Sequence, residues 1–198
     1  DSHESFFEFS EDCHLSRPSA YRIRQSCVNY LHGIGLDVNK NKVVGNEYRI
    51  RFLIALLHYK YGVDCYDADE TSIQTAREFI LSTNDKIDMN FLEYTSAEYG
   101  YFEYLLILAW KRKKYPLTFE KSEELEKLKQ LFIFPELKRC LKENLENKLN
   151  ISFSDYDYDY IFLVYCCTNS CVFADKWKQE DIELVHKIIF GIDKVKHL

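Results

Sequence analysis

Residues 16–45 read SRPSAYRIRQSCVNYLHGIGLDVNKNKVVG, a helical pattern followed by a polar turn between two short apolar pieces. Ser16 is a favoured N-cap residue, and Pro18 comes early in the helix, where its missing N–H costs little. Gly33 and Gly35 follow and predict the end of the helix. Residues 36–44 surround Asn39-Lys40-Asn41, which is typical of a hairpin turn. The stretch therefore predicts a helix-turn-helix unit with a wing.

The helix in this stretch is amphipathic. Apolar residues recur at spacings of three and four and predict one buried stripe, made of Ala20, Ile23, Cys27, Leu31 and Ile34. A recognition helix enters the major groove of DNA with its N-terminal turns near the base edges. The candidate DNA-binding residues are Arg17, Ser19, Tyr21, Arg22, Gln25 and Ser26 on the helix, with Lys40 and Lys42 in the hairpin. The alternative is an ordinary solvated polar helix face.

Charge is distributed unevenly along the chain. The formal net charge is -6, which by itself argues against a nucleic-acid partner. From Cys13 to Arg51, however, seven arginines and lysines stand against two carboxylates. This region is the candidate surface for duplex DNA, and the acidic remainder of the chain would face away from phosphates.

The remainder of the chain has helical periodicity. Helices are expected at Thr71–Leu81, Ala97–Lys114 and Ser122–Phe132, from Pro135 onward, after Ser154, and at Gln179–Phe190. The expected fold is mainly α, a winged helix-turn-helix at residues 1–48 followed by an all-helical bundle at 49–198. Because the chain opens DSHESFFEF without a methionine, we expect a fragment whose helix-turn-helix is shortened at its N-terminus.

Other function classes find little support in the sequence. No apolar run approaches the roughly 18 residues of a membrane span, and no signal peptide is visible. Seven cysteines without regular spacing fit a reducing cytoplasm. The CCxxxC group at 166–171 matches no zinc pattern, and we expect no metal, cofactor or catalytic site. The basic run 111–114 is interpreted as a helix C-terminus rather than a second nucleic-acid patch.

The alternation Asp155-Tyr-Asp-Tyr-Asp-Tyr160 has two interpretations. Its period of two would suit a strand or an acidic cation site. Its place after Ser154 and before an apolar run favours the acidic first turn of a helix, which we prefer.

Two strings of sequence are specific enough to indicate a family. The first is PSAYRIRQSCVNYLHGIGLDV followed by VVGNEYRIR; it resembles the second helix-turn-helix of the Mga family, the M-protein trans-acting positive regulators, with AtxA-type virulence regulators as relatives. Downstream, LTFEKSEELEKLKQLFIFPELKR and SDYDYDYIFLVYCCTNSCVFADKWKQEDI resemble the first PTS-regulation domain of that family.

The resemblance implies a cytoplasmic transcription regulator of Gram-positive bacteria that binds promoter DNA and forms homo-oligomers. It also implies control by sugar phosphotransferase proteins, such as HPr and enzyme II components, through phosphorylated histidines. His58 and His186 are the candidate phosphorylation sites, although neither matches a family phosphosite closely. The alternatives are a dimerisation and signal-receiving module with little DNA affinity, and an RNA-binding antiterminator.

Overall fold

The computed structural model describes residues 6–87, 96–118, 123–131 and 133–168 of the chain. The chain divides into two compact units, one at residues 1–50 and the other at 51–198. The first contains the helices α1 (Phe6–Asp12) and α2 (Arg17–Gly33), the strands β1 (Leu36–Asn39) and β2 (Lys42–Gly45), and the start of α3 (Glu47–Tyr61). The division between the units falls inside the sequence of α3.

The first unit has the predicted order of helix, turn, helix and hairpin. Ser16 caps α2, since its Oγ accepts a hydrogen bond from the Ser19 N–H at 3.4 Å. The two strands are antiparallel and pair Leu36 with Gly45 at one end of the hairpin and Asn39 with Lys42 at the other. Both features are set by local sequence, which is why spacing alone predicts them.

The predicted apolar stripe of α2 is only partly correct. Ala20 and Leu31 are buried, but Ile23 is 48% exposed and Cys27 is exposed as well. Helix α2 packs against α1 and β1, and these cover a narrower side of the helix than the sequence pattern suggested. Periodicity shows which residues share a face, whereas burial depends on which neighbours are present.

Within its described residues, the regular secondary structure of the second unit is all helical. It contains α4 (Glu70–Ile87), α5 (Ser96–Lys111), α6 (Glu123–Leu128), α7 (Ile133–Cys140), a π-helical segment (Leu141–Glu146), α8 (Asn147–Leu149) and α9 (Asp155–Thr168). The core lies between α5 and α9, with α4 packed on α5. Residues 102 and 104–109 of α5 and residues 158 and 160–166 of α9 supply its buried apolar side chains.

Two polar contacts tie the helices of this core together. The Tyr160 hydroxyl donates to the Leu105 carbonyl at 3.1 Å, which joins α9 to α5. Glu103 is 6% exposed and accepts a hydrogen bond from Arg77 of α4 at 2.8 Å. Pairing offsets the cost of removing these groups from water, so the helices are held in one arrangement.

Helix α9 begins as an acidic turn rather than a strand. The Ser154 Oγ accepts from the Asp157 N–H at 3.2 Å, and Asp157 accepts from the Ser154 N–H at 2.9 Å. This is a reciprocal capping box, with an aspartate, Asp157, in the place that Glu or Gln usually takes. The preferred interpretation of the Asp-Tyr alternation is therefore confirmed, and the strand alternative is wrong.

The π-helical segment was not expected. Leucines recur every fourth residue at 137, 141, 145 and 149, whereas an α-helix has 3.6 residues per turn. A strict four-residue repeat drifts around an α-helix, and the wider π turns reduce that drift. Leu137, Leu141 and Leu145 are all buried as a result.

Several predicted boundaries shift. Helix α4 extends to Ile87 instead of Leu81, α5 ends at Lys111 instead of Lys114, and α6 is shorter than predicted. The helix expected from Pro135 begins at Ile133. The predicted helix at 179–190 lies outside the described residues.

Candidate nucleic-acid interface

The exposed face of α2 contains an arginine, two amides and a hydroxyl. Arg22, Gln25, Ser26 and Asn29 are all exposed. Residues 22, 26 and 29 follow the i, i+4, i+7 spacing of one helix face, and Gln25 is adjacent to it. Within the described part of the chain, no carboxylate pairs with Arg22, so its guanidinium is available to a ligand. This face has the donors and acceptors that base edges require.

Hydrogen bonds within α2 organise this face. The Gln25 amide nitrogen donates to Asn29 Oδ1 at 3.0 Å. The Ser26 hydroxyl donates to the Arg22 backbone carbonyl at 3.1 Å, so its donor is already used and its oxygen remains as an acceptor. Asn29 was not among the predicted site residues. Its spacing from Gln25 and Arg22 was the signal that would have identified it.

The other predicted residues of α2 lie in different surroundings. Ser19 is half-buried, and its oxygen accepts a hydrogen bond from Ser16 at 2.9 Å as part of the helix cap. Arg17 is exposed, and Tyr21 is 63% exposed. At about 100° per residue, Arg17 and Tyr21 lie on the flank of α2 near the buried Leu31, not at the centre of the exposed face. Their position suits contacts with a backbone better than contacts with base edges.

The hairpin brings two lysines to an exposed tip. Lys40 and Asn41 form its two-residue turn, with positive φ angles of 48° and 60°. This geometry is a type I′ turn, which matches the twist of the paired strands. Lys42 follows as the first residue of β2 and is exposed like Lys40.

An exposed side-chain contact links the end of α2 to the first strand. His32 Nε2 lies 2.8 Å from Asp37 Oδ1. Asp37 also accepts a hydrogen bond from the Val38 N–H at 2.6 Å. The hydrogen bond from His32, followed by that from Val38, lowers the pKa of Asp37 below its usual value. The carboxylate is therefore held in its charged form within the hairpin, on β1.

Three arginines that entered the predicted charge excess have other contacts. Arg49 donates to the Ile34 carbonyl at 2.9 Å and so caps the end of α2. Arg51 belongs to the second unit, where it is fully buried, 4.7 Å from the Tyr160 ring centroid. Arg24 is exposed but lies 5.9 Å from the Phe6 ring centroid. The surface available to phosphate is thus smaller than the sequence count indicated.

Helix α1 adds negative charge to the same unit. Glu8, Glu11 and Asp12 are exposed and precede the turn to α2. The count from Cys13 onward left these residues out. Across residues 6–50, six arginines and lysines stand against five carboxylates. The positive surface is a local property of α2 and the hairpin rather than of the whole unit.

His58 is part of an aromatic cluster at the end of α3. Its ring stacks on Tyr104 at 4.4 Å between centroids, and its Nδ1 lies 2.7 Å from Asp64 Oδ1. A Schellman-type end places Asp64, because the Gly62 N–H bonds the His58 carbonyl and the Val63 N–H bonds the Leu57 carbonyl. The side chain of His58 remains 31% exposed. His186 lies outside the described residues.

The tyrosines next to His58 have raised pKa values. Removal from water, followed by the charge of Asp64, raises the pKa of Tyr104 to about 12. Removal from water and the charge of Glu103 raise the pKa of Tyr59 to about 12 as well. Both hydroxyls donate to carbonyl oxygens, Tyr104 to Tyr66 at 2.8 Å and Tyr59 to Gly100 at 2.6 Å. These tyrosines stay neutral and act as fixed supports for the histidine ring.

Side chains of the basic run at 111–114 make contacts within the second unit. Lys111 forms an ion pair with Asp69, and Lys113 donates to the Ser152 carbonyl. The side chain of Arg112 lies 4.3 Å from the Tyr115 ring centroid. The carbonyls of Lys111 and Arg112, at the end of α5, accept hydrogen bonds from Tyr66 and Arg51. The structure favours a structural role for this run, as the sequence suggested.

A groove of about 690 Å³ lies between the π-helical segment and the start of α9. Lys138 pairs with Asp155 at 2.8 Å, and Glu146 accepts from the Tyr158 hydroxyl at 2.9 Å. Lys142 lies 5.7 Å from the Tyr158 ring centroid. The lining carries both signs of charge, so the groove presents no single-sign surface to an anion or a cation.

Neither a metal-binding cluster nor a membrane-spanning helix is present among the described residues. Among the described residues, no group of three or more His, Cys, Asp or Glu side chains is arranged to hold a metal ion. Cys166 is buried, while Cys171 of the CCxxxC group lies outside the described residues. In the part of the chain that the structure describes, no helix has the length and apolar character needed to cross a bilayer.

Comparison with known proteins identifies the family. Residues 2–58 match the Mga helix-turn-helix domain. Residues 74–188, more than half of the chain, match the M protein trans-acting positive regulator (MGA) PRD domain. No curated protein and no solved structure gives a significant match to the chain. The two domains occur in the order of an Mga regulator, and the chain belongs to the Mga family.

Proposed function

We propose that this chain is the reading and signal-receiving part of a DNA-binding transcription regulator. Helix α2 would lie in the major groove, with Arg22 and its neighbours at base edges and Lys40 and Lys42 on the phosphate backbone. The observation that supports this most is the exposed polar face of α2, whose arginine is free of ion pairs with the described residues. Phosphate contacts would position the unit, and base contacts would give it sequence preference.

Family membership extends the proposal to the setting of the protein. We propose a cytoplasmic, non-enzymatic activator of Gram-positive bacteria that controls virulence genes as a homo-oligomer. Its domains would follow the division in α3, with the DNA reader before it and the PTS-regulation domain after it. We assign it no cofactor.

A gel-shift assay with two arginine variants tests DNA reading. Arg22→Ala should cost about 1–3 kcal/mol of specific binding free energy, because a bidentate arginine–guanine contact is worth that amount. Arg24→Ala is the matched control, since it removes the same charge from α2 at a residue that lies by Phe6. Equal binding by the wild type and Arg22→Ala would contradict the proposed role of Arg22.

A second candidate function is favoured by the acidic helix α1. Its carboxylates offset much of the positive charge of the first unit, as expected if the segment mainly dimerises and receives signals. Sedimentation with and without duplex DNA separates the two candidates. A dimer that gains no mass from DNA would favour the second function. Preference for an RNA hairpin over duplex DNA would instead indicate an antiterminator.

We further propose His58 as the site where the phosphotransferase system acts. The Asp64 carboxylate at Nδ1 holds the proton on that nitrogen, so Nε2 keeps its lone pair and is the nucleophile. Nε2 would attack the phosphorus of a phosphorylated donor histidine and displace the donor imidazole.

Incubation with enzyme I, HPr and phosphoenolpyruvate, followed by intact-mass analysis, tests this step. The wild type should gain one phosphoryl group, and His58→Gln should not. His32→Gln is the control, because His32 also pairs with an aspartate, at 2.8 Å, but lies in the first unit. Phosphorylation that persists in His58→Gln would exclude His58 and direct attention to His186.

A further inference from the structure

The hydrogen bond between Gln25 and Asn29 determines which donors and acceptors these two side chains still offer to a ligand. The bond uses one N–H of Gln25 and one lone pair of Asn29. Gln25 keeps its carbonyl oxygen and its second N–H. Asn29 keeps both N–H groups and its second lone pair. Each amide therefore retains at least one donor beside an acceptor, while the other amide holds it in place.

A donor beside an acceptor is the pattern that one base requires. In the major groove adenine presents its N7 acceptor next to its N6 amino donor, and Asn or Gln binds both at once. Guanine presents two acceptors, O6 and N7, which suit Arg. On α2 the amide pair and Arg22 lie on the same exposed face, so the two kinds of base could be read together.

Because the two amides already pair with each other, contacting a base immobilises them at a lower cost in free energy. Immobilising a flexible side chain on binding costs free energy, and a side chain that is already held loses less. Asn29 lies four residues after Gln25, the spacing at which side chains on a helix meet. The contact is therefore a property of α2 itself and does not need DNA to form.

We propose that Gln25 and Asn29 act as one unit that selects an A·T base pair, near a G·C pair selected by Arg22. This rests on the proposed function, since it requires α2 to lie in the major groove. Arg22 and Asn29 are seven residues apart, about 10 Å along the helix, or roughly three base-pair steps. Asn29 thereby becomes a specificity-determining residue.

Selection from a randomised duplex pool tests this with the 198-residue chain. The wild type should enrich sequences with one fixed G·C pair and one fixed A·T pair about two to three steps apart. Affinities are then measured for duplexes that carry each base substitution in turn. Gln25→Ala and Asn29→Ala should both flatten the preference at the same A·T pair, by about 5-fold to about 150-fold. Arg22→Ala should flatten only the preference at the G·C pair.

The controls distinguish failure of the amide pair to select a base from failure of the chain to bind DNA. Gln74→Ala removes the same amide from a similar pair in α4, where Gln74 donates to Glu78 at 2.9 Å, and should leave all preferences unchanged. Helix content by circular dichroism confirms that α2 is intact in each variant. Uniform weakening across all duplexes, or effects of Gln25→Ala and Asn29→Ala at different base pairs, would overturn the amide unit and leave DNA binding standing. Failure of the wild type to bind any duplex would instead overturn the proposed function.

Discussion

Arg49 and Arg51 are two residues apart in α3, yet their guanidinium groups have different surroundings. Arg49 donates to the Ile34 carbonyl and to the Tyr48 hydroxyl, at 2.9 and 3.0 Å. Arg51 lies over the Tyr160 ring and donates to the Arg112 carbonyl at 3.4 Å. A side chain with five donors can serve as a helix cap or as a core anchor, and its formal charge says nothing about which. Charge on the surface must therefore be counted residue by residue.

At the same scale, Lys40 combines a charge with an unfavourable backbone conformation. Its φ of 48° lies in the left-handed region, which costs most residues roughly 1–2 kcal/mol but suits asparagine better. Lys40→Asn should therefore stabilise the hairpin by about 0.5–1 kcal/mol while weakening DNA binding at low salt. Hydrogen exchange of the hairpin amides and a gel-shift titration measure the two effects.

Lys42→Gln is the matched control for Lys40→Asn, since it removes the same charge from a strand position. It should weaken binding equally without slowing hydrogen exchange. Faster exchange in Lys40→Asn would show that the turn does not carry the backbone cost assigned to it.

Asp69 links pH to the stability of the second unit. Its carboxylate accepts from the Ser72 N–H at 2.9 Å and pairs with Lys111. The hydrogen bond from Lys111, followed by that from Ser72, lowers the pKa of Asp69 from 3.8 to about 2. A lowered folded-state pKa stabilises the protein above pH about 4, and this contribution is lost as pH falls towards 2. Asp69→Asn, which can still cap α4, should show a smaller loss of melting temperature over that window. Asp67→Asn provides the control for net charge, and an identical pH profile for Asp69→Asn and the wild type would contradict this assignment.

At the scale of elements, the end of α2 depends on Gly35. Its φ is +71°, and a Cβ at this residue would lie 1.6 Å from an Arg49 guanidinium nitrogen. Gly35→Ala should therefore destabilise the protein by about 2 kcal/mol or more, because it adds both backbone strain and loss of the cap that Arg49 provides. Chemical denaturation measures the change in the free energy of unfolding.

Two other glycines separate these causes. Gly62 has a φ of +65° with no atom within 4 Å of an added Cβ, so Gly62→Ala reports backbone strain alone. Gly33 is the last residue of α2 and is equally open, so Gly33→Ala should stabilise the helix by up to about 1 kcal/mol. If Gly35→Ala costs no more than Gly62→Ala, the contact with Arg49 contributes nothing.

The secondary-structure elements also show which features the sequence predicts and which it does not. The Ser16 cap, the hairpin and the acidic first turn after Ser154 were predicted because each depends on residues a few positions apart. The exposure of Ile23 and the burial of Arg51 were not, since they depend on distant neighbours; Arg51 and Arg112 are 61 residues apart. Asn29 and Asp64 were missed although local spacing could have identified them. The π-helical segment was missed because a repeat of four was taken as an ordinary helix.

At the scale of the whole molecule, an acidic protein is proposed to bind a polyanion. The net charge of -6 repels DNA at long range, so binding must rely on a small surface within close reach of the phosphates. Arg17, Arg22, Lys40 and Lys42 are the exposed cations of that surface. Arg49 and the basic run at 111–114 make contacts elsewhere in the protein, so they should add little.

The number of exposed cations on this surface predicts the salt dependence of DNA binding. Each neutralised phosphate contributes about −0.9 to the slope of log K against log salt concentration. Three or four contacts per chain therefore give a slope of about −3 to −4, and two bound copies give about twice that. Fluorescence anisotropy with a labelled duplex, at known stoichiometry, measures the slope.

Two lysine variants test which cations contribute. Lys42→Gln should make the slope shallower by about one, whereas Lys113→Gln should leave it unchanged, because Lys113 donates to the Ser152 carbonyl. A slope much steeper than −4 for one bound chain, or one that changes in Lys113→Gln, would show that the second unit also contacts phosphate.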